Sequence, residues 1–419
     1  MKAFIKQVAY FGLTVILISC YATTFGQTGD DSYITISGVA KDAQTRQAVV
    51  FASVSIPGTN IGTVTNSEGE FILKVNKSLS VDVFEISHLG YINKQFKIAE
   101  SLGKERVFYI DEHIYMLKES SIRPLEPKEI VRLALMKTRE NYSEKPNMMT
   151  GFYRETIKQR HDYLSISEAV VDIYKASYTS MQDDQVKIFK GRNGTNLKKA
   201  DTLMVKLQGG PSVTMLLDII KNPEFIISPD SLDNYIFSIV SFVSIDDKPC
   251  YVISFTPDVN RSYPFYNGKL YITQDKLAVT MVEFSLDLTD ADKAARQFVQ
   301  KKPAGLLFTP TATSYLVTYK EQNGKYYFNY VRVELKFKCD WKRKWFKNNY
   351  TIMSEIAITN RHEDNVARFT NQELFKSNMV FADKIHFQSD DKFWGDNNII
   401  EPEESIQNAI KKFSKNMKK

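Results

Sequence analysis

The chain is predicted to be mainly β: an N-terminal seven-stranded β-sandwich, a linker helix, and a larger α+β domain with an antiparallel sheet. Three observations carry this expectation. Residues 33–118 are a succession of short apolar runs broken by Gly, Pro, Asn and Asp. Residues 125–145 hold a stripe of helical spacing behind a proline. Residues 147–400 alternate apolar and polar side chains over long stretches, the period expected of strands with one dry and one wet face.

The first 26 residues, MKAFIKQVAYFGLTVILISCYATTFG, stand apart. Lys2 and Lys6 form a basic start, and the apolar run over 11–18 is too short to span a bilayer as a helix. Two processing routes are open. Thr24-Phe25-Gly26 offers small residues for a signal peptidase, and Leu17-Ile18-Ser19-Cys20 resembles a bacterial lipobox, which would acylate Cys20 and tie the chain to a membrane. The first is favoured because the apolar character continues past Cys20 to Phe25. Either route exports the chain to the periplasm, the outer membrane or the cell surface. The net charge of +6 is too small a surplus over 419 residues to argue for nucleic acid. Three cysteines do not make a disulfide scaffold; Cys250 and Cys339 are expected to be half-buried strand residues, with a disulfide between them as the alternative.

In the first domain, residues 34–39 alternate. Residues 49–56 read as a strand with Phe51 and Ser53 on one face and Ala52, Val54 and Ile56 on the other, ended by Pro57-Gly58. Residues 61–65 and 71–75 flank Asn66-Ser67-Glu68-Gly69, a hairpin connection in which Gly69 can take positive φ. Residues 81–87 and 92–98 follow, separated by His88-Leu89-Gly90-Tyr91.

Gly38-Val39-Ala40-Lys41-Asp42, Ala52-Ser53-Val54-Ser55-Ile56-Pro57-Gly58-Thr59, the run from Gly62 to Phe71, and Ser87-His88-Leu89-Gly90-Tyr91 together resemble the carboxypeptidase regulatory-like domain. That is a transthyretin-like sandwich common in Bacteroidetes envelope proteins. The resemblance implies an accessory module without an active site, in which the glycines mark corners. A calcium loop is the sharper alternative, but Asn66 and Glu68 supply too few oxygens. Arg46 stands where the family usually has Gly, so the turn there is expected to manage without positive φ.

Pro127 suits a first helical turn, and Ile130, Leu133 and Ala134 follow at helical spacing, to an end near Tyr142. Strands are expected over 149–157 and 163–174, with a turn at 159–162. A Lys- and Gly-rich loop is expected over 187–199, and a short helix over 213–220 with Ser212 as its N-cap. Further strands are expected over 235–243, 250–255, 268–273, 280–288 and 331–341, with Asn267-Gly268 as a tight turn. Val282, Phe284, Leu286 and Leu288 share one face of their strand, and Val331, Val333, Leu335, Phe337, Cys339 and Trp341 one face of theirs. Glu283, Ser285 and Asp287, and Arg332, Glu334, Lys336, Lys338 and Asp340, take the opposite faces. The dry face requires a cover: short helices, the other domain or a ligand. Lys269-Leu270-Tyr271-Ile272 and residues 278–284 resemble the half-barrel of periplasmic lipoprotein carriers, which hold acyl chains against a concave sheet. That resemblance implies a curved, half-barrel-like sheet and bears on the fold alone. As a cover for the dry face, an apolar or acyl ligand is expected on Val282, Phe284, Leu286, Val333, Leu335 and Phe337.

For catalysis the chain offers little. Its five histidines show no zinc-protease spacing, and His362-Glu363-Asp364 reads as a solvated turn. No nucleophile elbow or phosphate loop occurs. No catalytic residue, metal or cofactor is expected. Tyr153-Arg154-Glu155 with Glu168 is the best polar cluster, read as cross-strand charge pairing on the wet face, with acid–base work by the carboxylates of Glu155 and Glu168 as the alternative. Lys342, Arg343, Lys344 and Trp345 form a basic aromatic stretch suited to a membrane surface or an anion, and residues 401–419 form a basic helix or tail. Asp201-Thr202-Leu203 and Asp230-Ser231-Leu232 resemble O-glycosylation triplets of the Bacteroidetes envelope. The function expected is binding without catalysis in the cell envelope, of a lipid or of an envelope protein; a structural scaffold of the outer membrane is the alternative, and a hydrolase the third.

Overall fold

A computed structural model describes residues 32–103, 106–113, 125–195, 209–258, 265–298, 306–341, 348–388, 390 and 392–417. Cys20, Asp201-Thr202-Leu203 and the Lys342-to-Trp345 stretch lie outside the described residues.

The first domain is two small sheets. β1 (Tyr33–Asp42) lies between β4 (Glu70–Asn76) and β7 (Arg106–Ile110); β2 (Ser53–Ser55) and β5 (Val83–Ser87) lie between β3 (Gly62–Val64) and β6 (Lys94–Lys97). Alternation along β1 and β4 buries Ile36, Ala40, Phe71, Leu73 and Val75 against Val54, Phe84 and Ile86 of the second sheet. The chain between β6 and β7 makes a one-turn helix, α1 (Ile98–Ser101). Gly69 takes φ +79 at the hairpin, where a Cβ would also stand 2.7 Å from the Ala40 carbonyl oxygen. Two expectations are corrected. Arg46 itself adopts φ +62. The Asp42 carboxylate fixes that turn by accepting the Gln44 and Thr45 N–H groups, and the Arg46 guanidinium rests 4.3 Å from the Tyr109 ring centre. Phe51 takes φ +59, so the strand expected from residue 49 begins only at Ser53.

The linker is helix α2 (Pro127–Met136), which breaks at Lys137 and continues as α3 (Thr138–Asn141). Beyond it runs a ten-stranded antiparallel sheet that does not close into a barrel. Its order from one edge is β10 (Gln185–Thr195), β9 (Asp162–Lys175), β8 (Asn147–Gln159), β17 (Asn348–His362), β16 (Lys325–Trp341), β15 (Leu306–Gln322), β14 (Val279–Leu286), β13 (Tyr266–Thr273), β12 (Lys248–Pro257) and β11 (Tyr235–Ile245). Three further expectations give way. Residues 185–195 form an edge strand rather than a loop. Gly191 and Gly194 suit that strand because Ile385 and Phe413 pack where side chains would stand. Asn267-Gly268 lies inside β13, and Gly268 is needed because a Cβ would collide with the Glu283 carbonyl of β14. The short helix is α4 (Gly210–Met215), and Ser212 donates to the Phe375 carbonyl instead of capping it.

The register aligns one apolar row across the sheet: Ile239, Ile253, Leu270, Val282, Val317, Val331, Ile356, Tyr153 and Ala169 are successive cross-strand partners. We call this the inner face. It is covered by Ile130, Val131 and Ala134 of α2, Met215 of α4, and Ile219, Ile226, Phe375, Phe381 and Ile385 of the connecting segments. At one end of this face Lys175 is buried with Asp184 and Asp218, at 2.5 and 2.8 Å, and Asp218 also accepts from the Tyr319 hydroxyl. The C-terminal helix α6 (Glu404–Met417) buries Ile406 and Phe413 against Tyr163 and Ile166 and leaves Lys411, Lys412 and Lys415 exposed.

Candidate functional site

The row beside the apolar one faces the opposite way and is charged. Arg192, Glu168, Arg154, Glu355, Arg332, Leu316, Glu283 and Lys269 are successive cross-strand partners from β10 to β13. Signs alternate over the first five strands. Arg154 Nε donates to Glu168 at 2.7 Å, and Arg192 Nε donates to the other oxygen of Glu168 at 2.7 Å. Arg154 also reaches Glu355 at 3.4 Å, and Glu355 accepts from Arg332 at 3.0 Å and from the Tyr330 hydroxyl at 2.6 Å. The remaining Arg154 nitrogen donates to the Ile400 carbonyl at 2.7 Å. Burial pushes the Glu168 carboxyl up, but Arg154 and Arg192 together hold it below the usual carboxylate range.

Arg192, Glu168, Arg154 and Glu355 of this row are buried, contrary to the wet-face expectation for Arg154 and Glu168. Phe152, Val170 and Tyr330 beside it are covered by Trp394, Ile399 and Ile400 of the C-terminal segment and by Val64 and Phe51 of the first domain. Glu155 is buried as well, but on the inner face beside Tyr153, whose hydroxyl it accepts at 2.8 Å. Burial raises Glu155 to about 7, and the Tyr153 hydrogen bond only partly opposes the shift. Glu155 and Glu168 therefore lie on opposite sides of the sheet and cannot act as a carboxylate pair.

Further along the charged face the covering stops short, and a cleft of about 770 Å³ opens between the first domain and β13–β16. Phe51 and Leu89 wall it on the first-domain side, Met281 and Leu316 on the sheet side, with Lys269, Glu283, Lys320 and Arg332 among them. The Phe51 ring stacks on Tyr330 at 5.8 Å, and the Arg332 guanidinium lies 4.7 Å from its centre. These contacts hold a bulky residue in the left-handed region, at a cost of about 1–2 kcal/mol. Lys320 donates to the Ser53 and Ser55 hydroxyls at 3.2 and 2.7 Å and has no carboxylate partner among the described residues. Glu283 accepts from Tyr271 at 2.9 Å. His88, from the Leu89-Gly90 corner, also lines the cleft, and burial pushes its imidazole down to about 4.

Residues 36–122 match the family profile of the CarboxypepD_reg-like domain. The cleft is thus the seam between that domain and the sheet. No curated protein matches the chain. Among solved structures, a domain from Vibrio parahaemolyticus named for outer membrane lipoprotein sorting aligns over 58% of this chain and 94% of its own, at 9% identity and TM-score 0.25. A DUF1329 family protein from Desulfovibrio piger aligns over 60% and 100%, at 11% and 0.26. A LolA superfamily protein from Nitrosomonas europaea aligns over 58% and 99%, at 12% and 0.20. These scores are too low for any property of those proteins to be carried to this chain.

The six apolar residues expected to hold a ligand pack against the chain's own side chains, and of the six Phe284 also lines the cleft. Val282 and Phe284 are in the central core, with Val333 packed against it, and Phe284 stacks on Tyr315 at 4.6 Å. Leu286 is also buried. Leu335 and Phe337 belong to a second cluster with Phe308, Tyr350 and Ile352, against which Ala295 of helix α5 (Ala291–Phe298) packs. Cys250 and Cys339 are free, buried strand residues. The sequence pattern passed over Phe51, Leu89, Leu316 and Lys320; the strained φ of Phe51 has no signature in a strand-like run, and Leu316 is identified only by cross-strand register.

Proposed function

We propose that the chain acts by binding, not catalysis, and that it holds one amphipathic ligand in the seam between its regulatory-like domain and the ten-stranded sheet. The observation that carries this reading is the cleft itself: apolar walls from both domains, with Lys320, which among the described residues bonds only to the Ser53 and Ser55 hydroxyls, at hand for a polar head group. The strained Phe51 supports it, because backbone strain kept at a domain seam is retained where geometry there matters. In this reading the first domain is a transthyretin-like sandwich serving as one jaw, and the chain works in the envelope of a Bacteroidetes bacterium, in the periplasm or at the outer membrane. Its leader-like N-terminus and the motifs from Gly38 to Tyr91 favour that location, and no described helix is long and apolar enough to cross a membrane.

The test is titration of the full chain with cis-parinaric acid, a fluorescent acyl probe. Leu316→Arg, which fills the cleft from an outer-face position, is expected to weaken binding at least about tenfold while leaving the circular dichroism melt in place. Absence of probe binding to the wild type, or binding indifferent to Leu316→Arg, overturns the proposal.

A further inference from the structure

The two edges of the ten-stranded sheet are finished differently. At β10 the chain covers its own edge: the Val186 carbonyl accepts the Phe375 N–H at 2.8 Å, and the Asn193 N–H donates to the His386 carbonyl at 3.0 Å. Lys187, Lys190 and Arg192 add charge. At β11 the run YIFSIVSFVSI contains no charge, no Pro and no Gly over eleven residues. Its last turn is met by the first domain, where the Ser244 carbonyl accepts the Gly90 N–H at 3.0 Å; Pro249 opposite has no N–H to offer. Between Ile236 and Val243 no described backbone group outside β12 completes the edge, and Ile236 and Val240 stand 55% and 50% exposed. A long, neutral, uncovered edge is a template for another strand.

The sequence of that edge is its own complement. About the midpoint between Ile239 and Val240, Ser238 mirrors Ser241, Phe237 mirrors Phe242, and Ile236 mirrors Val243. In a regular strand such mirror pairs, separated by odd numbers of residues, fall on opposite faces. A bulge between Ile239 and Ser241 resets the alternation. Phe237 and Phe242 pair with Phe255 and Tyr251 of β12, so both lie on the inner face. Ile236, Ser238, Ser241 and Val243 pair with Thr256, Ser254, Val252 and Cys250, so all four lie on the outer face. A two-fold axis through the bulge then opposes Phe to Phe, Ser to Ser and Ile to Val on matching sides, the self-complementarity that a symmetric dimer requires.

We propose that β11 pairs antiparallel with β11 of a second copy of this chain, joining two ten-stranded sheets into one across a two-fold axis. Sedimentation equilibrium of the full chain tests it. A dimer is expected at micromolar concentration. Val240→Lys should weaken it at least about a hundredfold without changing the thermal melt at concentrations low enough for the wild type to be monomeric, and Phe189→Lys on the covered β10 edge should leave it intact. Ser238→Cys combined with Ser241→Cys should give an interchain disulfide under mild oxidation, in this register alone. A wild-type monomer at tens of micromolar, a dimer indifferent to Val240→Lys and not trapped by the cysteine pair, or a different protein bound along this strand in place of a second copy would each overturn it.

Discussion

The two faces of the ten-stranded sheet are built from the same strands and differ in everything that follows. Neighbouring rows one residue apart carry Val317, Val331 and Ile356 on one side and Leu316, Arg332 and Glu355 on the other. The inner row is closed by the protein's own helices and connections, and its burial drives folding at about 1.5–3 kcal/mol per large side chain. The outer row is closed over its ionic half by the C-terminal segment and the first domain, then left open as a cleft. The lesson is that an apolar face this complete belongs to the core, while the face that reads as polar in sequence is where a second domain and a ligand can be accommodated.

The largest effect that could break this contrast is expected at Arg154. Arg154→Ala leaves Glu168 and Glu355 buried without their shared partner and should cost about 3–5 kcal/mol in urea unfolding. Exchanging all five members, Arg192, Glu168, Arg154, Glu355 and Arg332, for Met and Leu should cost far less; equal losses would show that the row is held by packing and not by charge balance. On the inner face Ile356→Ala should cost about 2–5 kcal/mol through the cavity it leaves, at every pH.

Glu155 sharpens the comparison through pH. Its folded pKa of about 7 lies above the ordinary 4.5. As pH rises from about 4.5 to 7 the unfolded chain gives up this proton and the folded one keeps it, so stability falls across that window. Glu155→Gln should therefore stabilise by up to about 3 kcal/mol at pH 8 and by nothing at pH 4. A gain that does not vary with pH would place the carboxylate in water. The smallest effect is at the seam: Phe51→Gly removes the stack on Tyr330 but also relieves the left-handed φ, so the net loss should be below about 1 kcal/mol, with acyl-probe affinity falling more than stability.

Period-two alternation made the strands of the large sheet legible, and the series from Gly38 to Tyr91 made the first domain legible, because both are local patterns. The edge strand β10 was hidden because Lys187, Lys190, Gly191 and Gly194 imitate a loop; only the packing of Ile385 and Phe413 over those glycines explains them. The cover of the apolar row was hidden for a related reason: alternation shows that Val282 and Leu335 need a cover but not what supplies it. The ionic row could not be found strand by strand, since its members come from five strands spread between residues 154 and 355 and meet only once register is set. Arg154 and Glu168 were legible as a pair, and their burial was not, because it depends on Trp394 and Ile400 far along the chain.

The central claim is that a ligand enters on the charged face and not on the apolar one. A diazirine-bearing acyl probe, photolysed on the full chain and mapped residue by residue by tandem mass spectrometry, tests it most directly. The label should fall on Met281, Leu316, Leu89 and Phe51. Label on Val317, Val331 and Ile356 would contradict the account and return the ligand to the inner face.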